Sequence, residues 1–481
     1  MLLTRVVRFV IIRGGHFSSV TPHDRGVNSR TAGCDVLDSS ALTALIEDPT
    51  SHSIAAAVAR LIHSGELAPG DRLPTVRELA ADLGISPATV SNAWQALSRA
   101  GLVVSRGRSG TLVRGAPRDW MPERYRGLDA SADAALDLSR GTPDPQLLPA
   151  LEGSLSRLSP RAETASYQQK PDIPELHDLL RETWPAPVES VTVTNGALDA
   201  LDRVFGTVLR FGDRVVVENP GFPPIIDLLE HYGVEPVGAD VDEHGMRPDS
   251  LASALSSHPA AIVLQPRAHN PTGASMTEDR AEALARAIGR VSRGAGPLVI
   301  EDDHSGQISS SPDTTLAGLL PERTLHIRSF AKSHGPDLRI GALGGPRALV
   351  DRVVSRRMLG AGWTSRMTQR LLFDLLTDDE AVATVARART EYAARQRALL
   401  DALGAHGVRL PESDGLNLWL PVSDERAALV ALAAEGIRVA PGEPFQVGTS
   451  SPHVRVTVGV LRADVHRVAS ALATASRAGA E

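Results

Sequence analysis

Apolar and polar positions recur with two different periods along the chain, and the change of period divides it. From residue 51 the apolar residues Ile54, Val58, Leu61 and Ile62 repeat at helical spacing until Pro69-Gly70 interrupts them. Thr75 with Glu78 three residues on is a capping box that opens a short helix closing near Gly84. Ser86 as N-cap and Pro87 at the first helical position start another, running to about Ala100. Past Gly101 the period drops to two: "LVVSRGRSGTLV" is a pair of short β-branched runs about a Gly/Arg turn and predicts a hairpin. Three helices followed by a hairpin make a winged helix-turn-helix over residues 41–114, mostly α with a β wing.

A second pattern begins near residue 137. "SVTVTNG", "RVVVEN", "AAIVLQP", "PLVIEDD" and "TLHIRSF" read as strands, and "ALDALDRVFGTVL" as an intervening helix. Strands alternating with helices predict a large α/β domain with a mostly parallel sheet and ligands at the strands' carboxyl ends. Between the two patterns, residues 115–136 mix Pro, Gly and charge without periodicity and read as a linker. The first forty residues follow neither period. In "MLLTRVVRFVIIRGGHFSS" only Phe9 to Ile12 are apolar between Arg8 and Arg13, shorter than a signal-peptide core, so residues 1–40 are expected to be a disordered extension or to follow from an upstream start codon.

Composition narrows the class. A length of 481 residues favours two or three domains, and Cys34 stands alone, which excludes intrachain disulfides and multi-thiolate zinc sites and fits a cytoplasmic setting. No run approaches the roughly 20 apolar residues of a membrane helix. The net charge of −7 is uneven: residues 51–114 hold seven arginines against Glu66, Asp71, Glu78 and Asp82, giving +3 and leaving −10 for the remainder. A basic module on an acidic body points to a polyanionic partner. In the winged helix, Ser86, Thr89, Ser91 and Asn92 are placed to reach base edges, and Arg72, Arg77, Arg106 and Arg108, with Gly110 in the wing, to meet phosphates or a minor groove.

Lysine is nearly absent. Only Lys170 and Lys332 occur, against 48 arginines, so a lysine in "SFAKSHGPDLRIG" raises the question of an amine that must lose its proton, which a guanidinium does not do. A pyridoxal phosphate site would use one as its Schiff-base lysine. Such a site also wants free N–H groups at a helix start, offered by Gly196, Ala197 and Leu198; a buried carboxylate for the pyridine nitrogen, offered by Asp302; a hydroxyl and a guanidinium for the phosphate, Ser329 and Arg339; and an aromatic neighbour, Phe222. Singly each has an ordinary explanation as cap, turn or core. The ordered set carries the weight. His269, His304 and His334 are scattered over loops, a spacing that suits ordinary hydrogen bonding rather than a metal.

"LPTVRELAADLGISPATVSNAWQALSRAGLV" followed by "RGRSGTLV" resembles the DNA-binding domain of GntR-type bacterial repressors. "TNGALDAL", "ENPGFP", "HNPTG", "IEDDH", "SFAKS" and "LRIG" resemble, in that order, the fold-type I pyridoxal phosphate enzymes of the aspartate aminotransferase superfamily. The two joined resemble the MocR subfamily of GntR regulators. The resemblance implies a domain over 137–481 with a smaller C-terminal α+β subdomain, and pyridoxal 5'-phosphate as cofactor. It implies that Asn270 bonds the pyridine 3-oxygen, that Lys332 carries the cofactor and that Arg455 binds a ligand carboxylate. It further implies an amino-acid-like effector or the cofactor itself as signal, promoter DNA as partner, and a head-to-tail homodimer in which Tyr167 reaches the other subunit's phosphate. Two departures stand out. His304 occupies the usual Tyr position beside the 3-oxygen and would titrate near neutrality, and "YQQKPDIPELH" lacks the usual Gly-x-x-x-Leu-Arg. A regulator is therefore expected; a working aminotransferase is the alternative, and a domain that has lost the cofactor and only dimerises is a third.

Overall fold

The computed structural model describes residues 42–43, 46, 49–99, 101–105, 110–114, 121–128, 134–158, 166–291, 296–448 and 451–479. The N-terminal extension, and Arg106 and Arg108 of the wing, lie outside them.

The winged helix contains the helices Ser51–Ser64, Val76–Leu83 and Pro87–Arg99 and the strands β1 (Val103–Ser105) and β2 (Thr111–Val113), paired antiparallel. Its punctuation works as the sequence suggests. Thr75 N–H donates to Glu78 Oε2 at 2.8 Å and Glu78 N–H to Thr75 Oγ1 at 3.2 Å, while Thr89 N–H donates to Ser86 Oγ at 3.2 Å. Val90, Ala93, Trp94 and Leu97 put one face of the third helix into a core shared with Ile54, Val58, Leu79 and Val113. That leaves the face carrying exposed Ser86 and Asn92 outward.

The body is built on β3 (Leu136–Leu138), β4 (Ser190–Thr194), β5 (Arg214–Asn219), β6 (Glu235–Asp242), β7 (Gly245–Met246), β8 (Ala261–Leu264), β9 (Leu298–Asp303), β10 (Thr324–Ser329), β11 (Gly341–Gly345), β12 (Asn417–Pro421), β13 (Ile437–Pro441) and β14 (His453–Thr457). Eight of these form one sheet in the order β4-β11-β10-β9-β8-β5-β6-β7. β6, β5, β8, β9 and β10 run parallel, and β11 is antiparallel to both its neighbours. Both faces are covered, so the strands read as unbroken apolar runs. Within them the period of two survives. Val215, Val217, Val263 and Ile300 enter one core, and Val216, Ile262, Leu264 and Val299 the other.

Two elements escaped the sequence pattern. β11, "GALGG", lacks strand-forming residues because it runs so close to the turn after β4 that a Cβ on Gly341 would sit 3.0 Å from the backbone of Gly196. β3 joins the second sheet, ordered β12-β14-β13-β3, as a parallel edge to β13, so the smaller α+β subdomain draws on both ends of the region.

The stretch read as a linker also contains structure. Helix Glu123–Gly127 docks on helix Pro223–His231 through Arg124, which donates to Glu230 at 2.8 and 2.9 Å and to Asp227 at 3.2 Å. Arg114, just past the wing, donates to His231 Nδ1 at 2.7 Å. Leu128 packs with Ala440 and Phe445.

Candidate functional site

The sheet's carboxyl edge gathers polar groups from distant parts of the chain. β9 delivers Asp302, almost wholly buried. Its Oδ2 accepts from Gln265 Nε2 at 2.9 Å, but its Oδ1 has no partner. Burial, with Asp303 and Glu218 near, pushes this carboxyl up to about 6 against the bond from Gln265 and the nearby His326. The next residue, Asp303, pairs instead with Arg267 at 2.6 Å, as alternation along a strand requires of neighbours.

Lys332 follows β10 in the short helix Ala331–His334. Its amine donates to the carbonyl of Gly141. Burial and the charge of Arg455 lower its pKa to about 8, with Asp302 opposing. Arg455, on β14, is fully buried; it donates to Ser139 O and, at 3.2 Å, to Asn270 Oδ1, and lies 5.1 Å from the Phe445 ring. Burial lowers even this guanidinium to about 10. Because Asn270 Oδ1 is taken by Arg455, its amide nitrogen keeps its hydrogens for another acceptor.

His304 departs from expectation. Burial first, then the charge of Lys332, lowers its pKa to about 3, so it stays neutral where a free imidazole would titrate. Its Nε2 lies 3.0 Å from Ala268 O, and a carbonyl only accepts, so Nε2 carries the hydrogen and Nδ1 a lone pair.

A second group lies at the neighbouring strand ends. Gly196 caps helix Ala197–Val208 with φ +93°, leaving the first N–H groups, including those of Ala197 and Leu198, without intrahelical acceptors. A Cβ on Gly196 would lie 3.4 Å from Arg339 Nη2, so glycine keeps guanidinium and helix start together. Ser329, buried at the end of β10, accepts weakly from Ala331 N–H at 3.4 Å. Phe222 is the N-cap of helix Pro223–His231 and half-buried. Tyr167 stands apart, 86 % exposed, its ring 5.9 Å from Trp363.

In the winged helix Ser86 and Asn92 are exposed and Thr89 and Ser91 half-buried, and Ser86 Oγ lies 2.9 Å from Thr89 Oγ1. Arg77 is exposed, whereas Arg72 lies against the wing, its Nε 2.8 Å from where a Cβ on Gly110 would sit.

Sequence reasoning missed several participants. Gln265 holds both Asp302 and, at 2.8 Å, the N–H of Asn270. It directly follows β8, and the rule that strand ends carry the chemistry could have found it. Glu218 ends 3.3 Å from His269 Nε2 and accepts the N–H of Gln265 at 2.8 Å. Phe445 and Gly141 carried no local signal, since their value comes only from contact with Arg455 and Lys332.

Comparison with known proteins agrees with this division. Residues 136–472 match the family model of aminotransferase class I and II, and residues 50–113 that of bacterial regulatory proteins of the gntR family. The chain is 36% identical over 436 residues to the vitamin B6 salvage pathway transcriptional repressor PtsJ of Salmonella typhimurium, covering 88% of this chain and 99% of that protein. It is 30% identical to the HTH-type transcriptional regulator TauR of Rhodobacter capsulatus, over 76% of this chain and 81% of the other. Among solved structures, a Pyrococcus horikoshii kynurenine aminotransferase superposes with a TM-score of 0.64 at 22% identity, covering 72% of this chain and 91% of that one, a likeness of fold. Among the described residues no helix is long and apolar enough to cross a membrane. A helix-turn-helix reader of the gntR type over residues 50–113 joined to an aminotransferase-like body over residues 136–472 places this chain in the MocR subfamily of GntR-type transcriptional regulators.

Proposed function

We propose that this regulator binds pyridoxal 5'-phosphate through Lys332 and promoter DNA through its winged helix, and that occupancy of the first site sets affinity at the second. The observation that carries the reading is the unpaired, buried Oδ1 of Asp302, close enough to the half-buried amine of Lys332 for its charge to act on it. A buried carboxylate oxygen without a donor is unfavourable unless a ligand supplies one, and a pyridinium N–H does. When bound, the cofactor contributes an aldehyde that captures amines and a ring that withdraws electrons.

The chain's own groups divide the remaining work. Lys332 offers an amine that sheds its proton near neutrality. The start of helix Ala197–Val208, with Ser329 and Arg339, offers donors for a phosphate. Phe222 covers a ring face, the free amide hydrogens of Asn270 suit the 3-oxygen, and Arg455 takes a carboxylate of an amino-acid-like effector. Similarity to a repressor named for vitamin B6 salvage favours the aldehyde itself as a signal. His304 spends its hydrogen on Ala268 and has none for the 3-oxygen, which favours capture over repeated transamination. Exposed Tyr167, Leu359 and Met367 support a head-to-tail homodimer, in which Tyr167 would serve the other subunit's phosphate. A role on promoter DNA supports a cytoplasmic location.

The test is direct. Soaking with pyridoxal 5'-phosphate should generate a visible absorbance band that borohydride fixes covalently, and Lys332→Ala should abolish both while operator binding by the ligand-free protein persists. A colourless wild type, or equal labelling of the variant, would end the proposal.

A further inference from the structure

On the reverse side of the same strand tips lies a second cavity, of about 640 Å³, a volume in the range of small-molecule sites. Asp302 and Asp303 are adjacent on β9 and point to opposite faces, so Asp303 and its partner Arg267 line this cavity while Asp302 serves the front pocket. Arg267 also pairs with Asp313. Two further guanidiniums line it without a carboxylate partner among the described residues. Arg328 donates to Thr183 O and Oγ1 at 3.0 and 3.2 Å and lies 5.3 Å from the Trp184 ring and 5.8 Å from Phe330. Arg389, on helix Asp379–Ala405, spends only its Nε, on Gln307 O at 2.8 Å.

Charge and wall chemistry define what fits. Arg267 has its carboxylates in Asp303 and Asp313, and Asp414 behind the lining serines is held by Ser309, Ser310 and Ser311, so the cations left for an anion are Arg328 and Arg389. A half-buried cation without an anion is costly, and water compensates it only partly. Beside them the lining is apolar, with Phe330, Leu376, Val382 and Val385, the two valines on the same helix as Arg389, and Val382 is half exposed there with no polar role. The geometry points to a second ligand site, for a small organic monocarboxylate with an apolar tail, its carboxylate held between Arg328 and Arg389. Ser329 and Phe330 line this cavity and immediately precede the Lys332 helix, so an occupant touches the segment that carries the front amine. The inference does not depend on the identity of the front ligand.

The experiment is a ligand-observed NMR titration of the full chain with 4-phenylbutyrate, using 4-phenylbutyramide and inorganic phosphate as competitors. Arg455→Met removes the carboxylate anchor of the front pocket and should leave phenylbutyrate binding in place. Arg389→Ala, at an exposed position that does not threaten folding, and Arg328→Gln should each weaken it by about tenfold, the loss of one charge-assisted hydrogen bond. The amide should fail to compete. Binding that vanishes in Arg455→Met would assign the ligand to the front pocket and overturn the proposal, as would unchanged affinity in both cavity variants. Stronger competition by phosphate than by the carboxylate would overturn the ligand class.

Discussion

In the winged helix, polar partners are three residues apart, as Thr75 is from Glu78 and Ser86 from Thr89; in the pocket, Lys332 meets Gly141 across 191 residues and Arg455 meets Asn270 across 185. The module therefore completes its own hydrogen bonds and presents an exposed polar surface to its partner. The pocket instead buries charges and leaves Asp302 Oδ1 without a donor. Stability and binding should move together in the first region and in opposite directions in the second.

Asp302→Asn is the strongest way to break that contrast. A carboxyl raised from 3.8 to about 6 in the folded state binds its proton more tightly there than in the unfolded chain, so stability falls as pH rises from about 4 to 6 and the full penalty remains above. At neutral pH the ligand-free protein loses roughly 3 kcal/mol to this buried charge. The amide should raise the midpoint of thermal unfolding of ligand-free protein above pH 6 and leave it little changed near pH 4. It should also weaken pyridoxal phosphate by about a hundredfold in equilibrium dialysis, because an amide cannot hold a pyridinium as a carboxylate does. An unfolding midpoint that drops at pH 7 would mean that Asp302 is already compensated.

Lysine chemistry supplies the next test. With its folded pKa lowered from 10.5 to about 8, Lys332 holds about three hundred times more neutral amine at pH 7 than an ordinary lysine. Covalent capture of the aldehyde, followed by stopped-flow absorbance, should accelerate as pH rises toward 8 and level off above it. Continued acceleration to pH 10 would place the reacting amine in water instead. His304, neutral down to about pH 3, should add no inflection near 6.5.

A smaller effect should appear where the two regions meet. Helix Glu123–Gly127 touches both ends of the pocket. Arg124 grips Asp227 and Glu230 on the helix capped by Phe222, and Leu128 packs on Phe445, which lies under Arg455. Arg124→Ala should cost about 1–2 kcal/mol of stability, more than an exposed pair because Asp227 is largely buried and its charge would lose a partner. The sharper readout is operator affinity with and without pyridoxal phosphate: the variant should lose most of the difference between the two states while binding the cofactor normally.

These contrasts explain what could be read from the chain beforehand. Caps, helical spacing and the wing hairpin are local, so the winged helix was legible almost to the residue. The parallel strands were legible because burial on both faces made them apolar runs. β11 was not, since its glycines answer to a close neighbour 145 residues away in sequence at Gly196. Within the pocket, Lys332 and Asp302 were legible from residue type after a strand, while Phe445, Gly141 and Gln265 matter through contacts that only the fold creates. His304 was legible in position but not in charge, because burial sets its protonation and burial is not written locally. The short helix after the wing was hidden for the same reason: Arg124 and Tyr125 looked like linker polarity until Asp227 and Glu230 came beside them.

The mildest expected change sharpens the DNA side of the comparison. Arg77 is exposed on helix Val76–Leu83, the first helix of the helix-turn-helix pair, which crosses the phosphate backbone while the second enters the groove. Arg77→Ala should leave the fold intact, since the side chain buries nothing, and should weaken operator and unrelated duplex by the same few-fold factor. A phosphate contact carries no base information, so specificity should hold while the slope of log affinity against log salt falls by about one. Asn92→Ala, on the recognition face, should behave oppositely, losing discrimination between sequences by about 1–3 kcal/mol with little change in salt slope. If both variants changed only the salt slope, base reading would have to come from the wing or the half-buried Thr89 and Ser91 rather than from the exposed tip of the recognition helix.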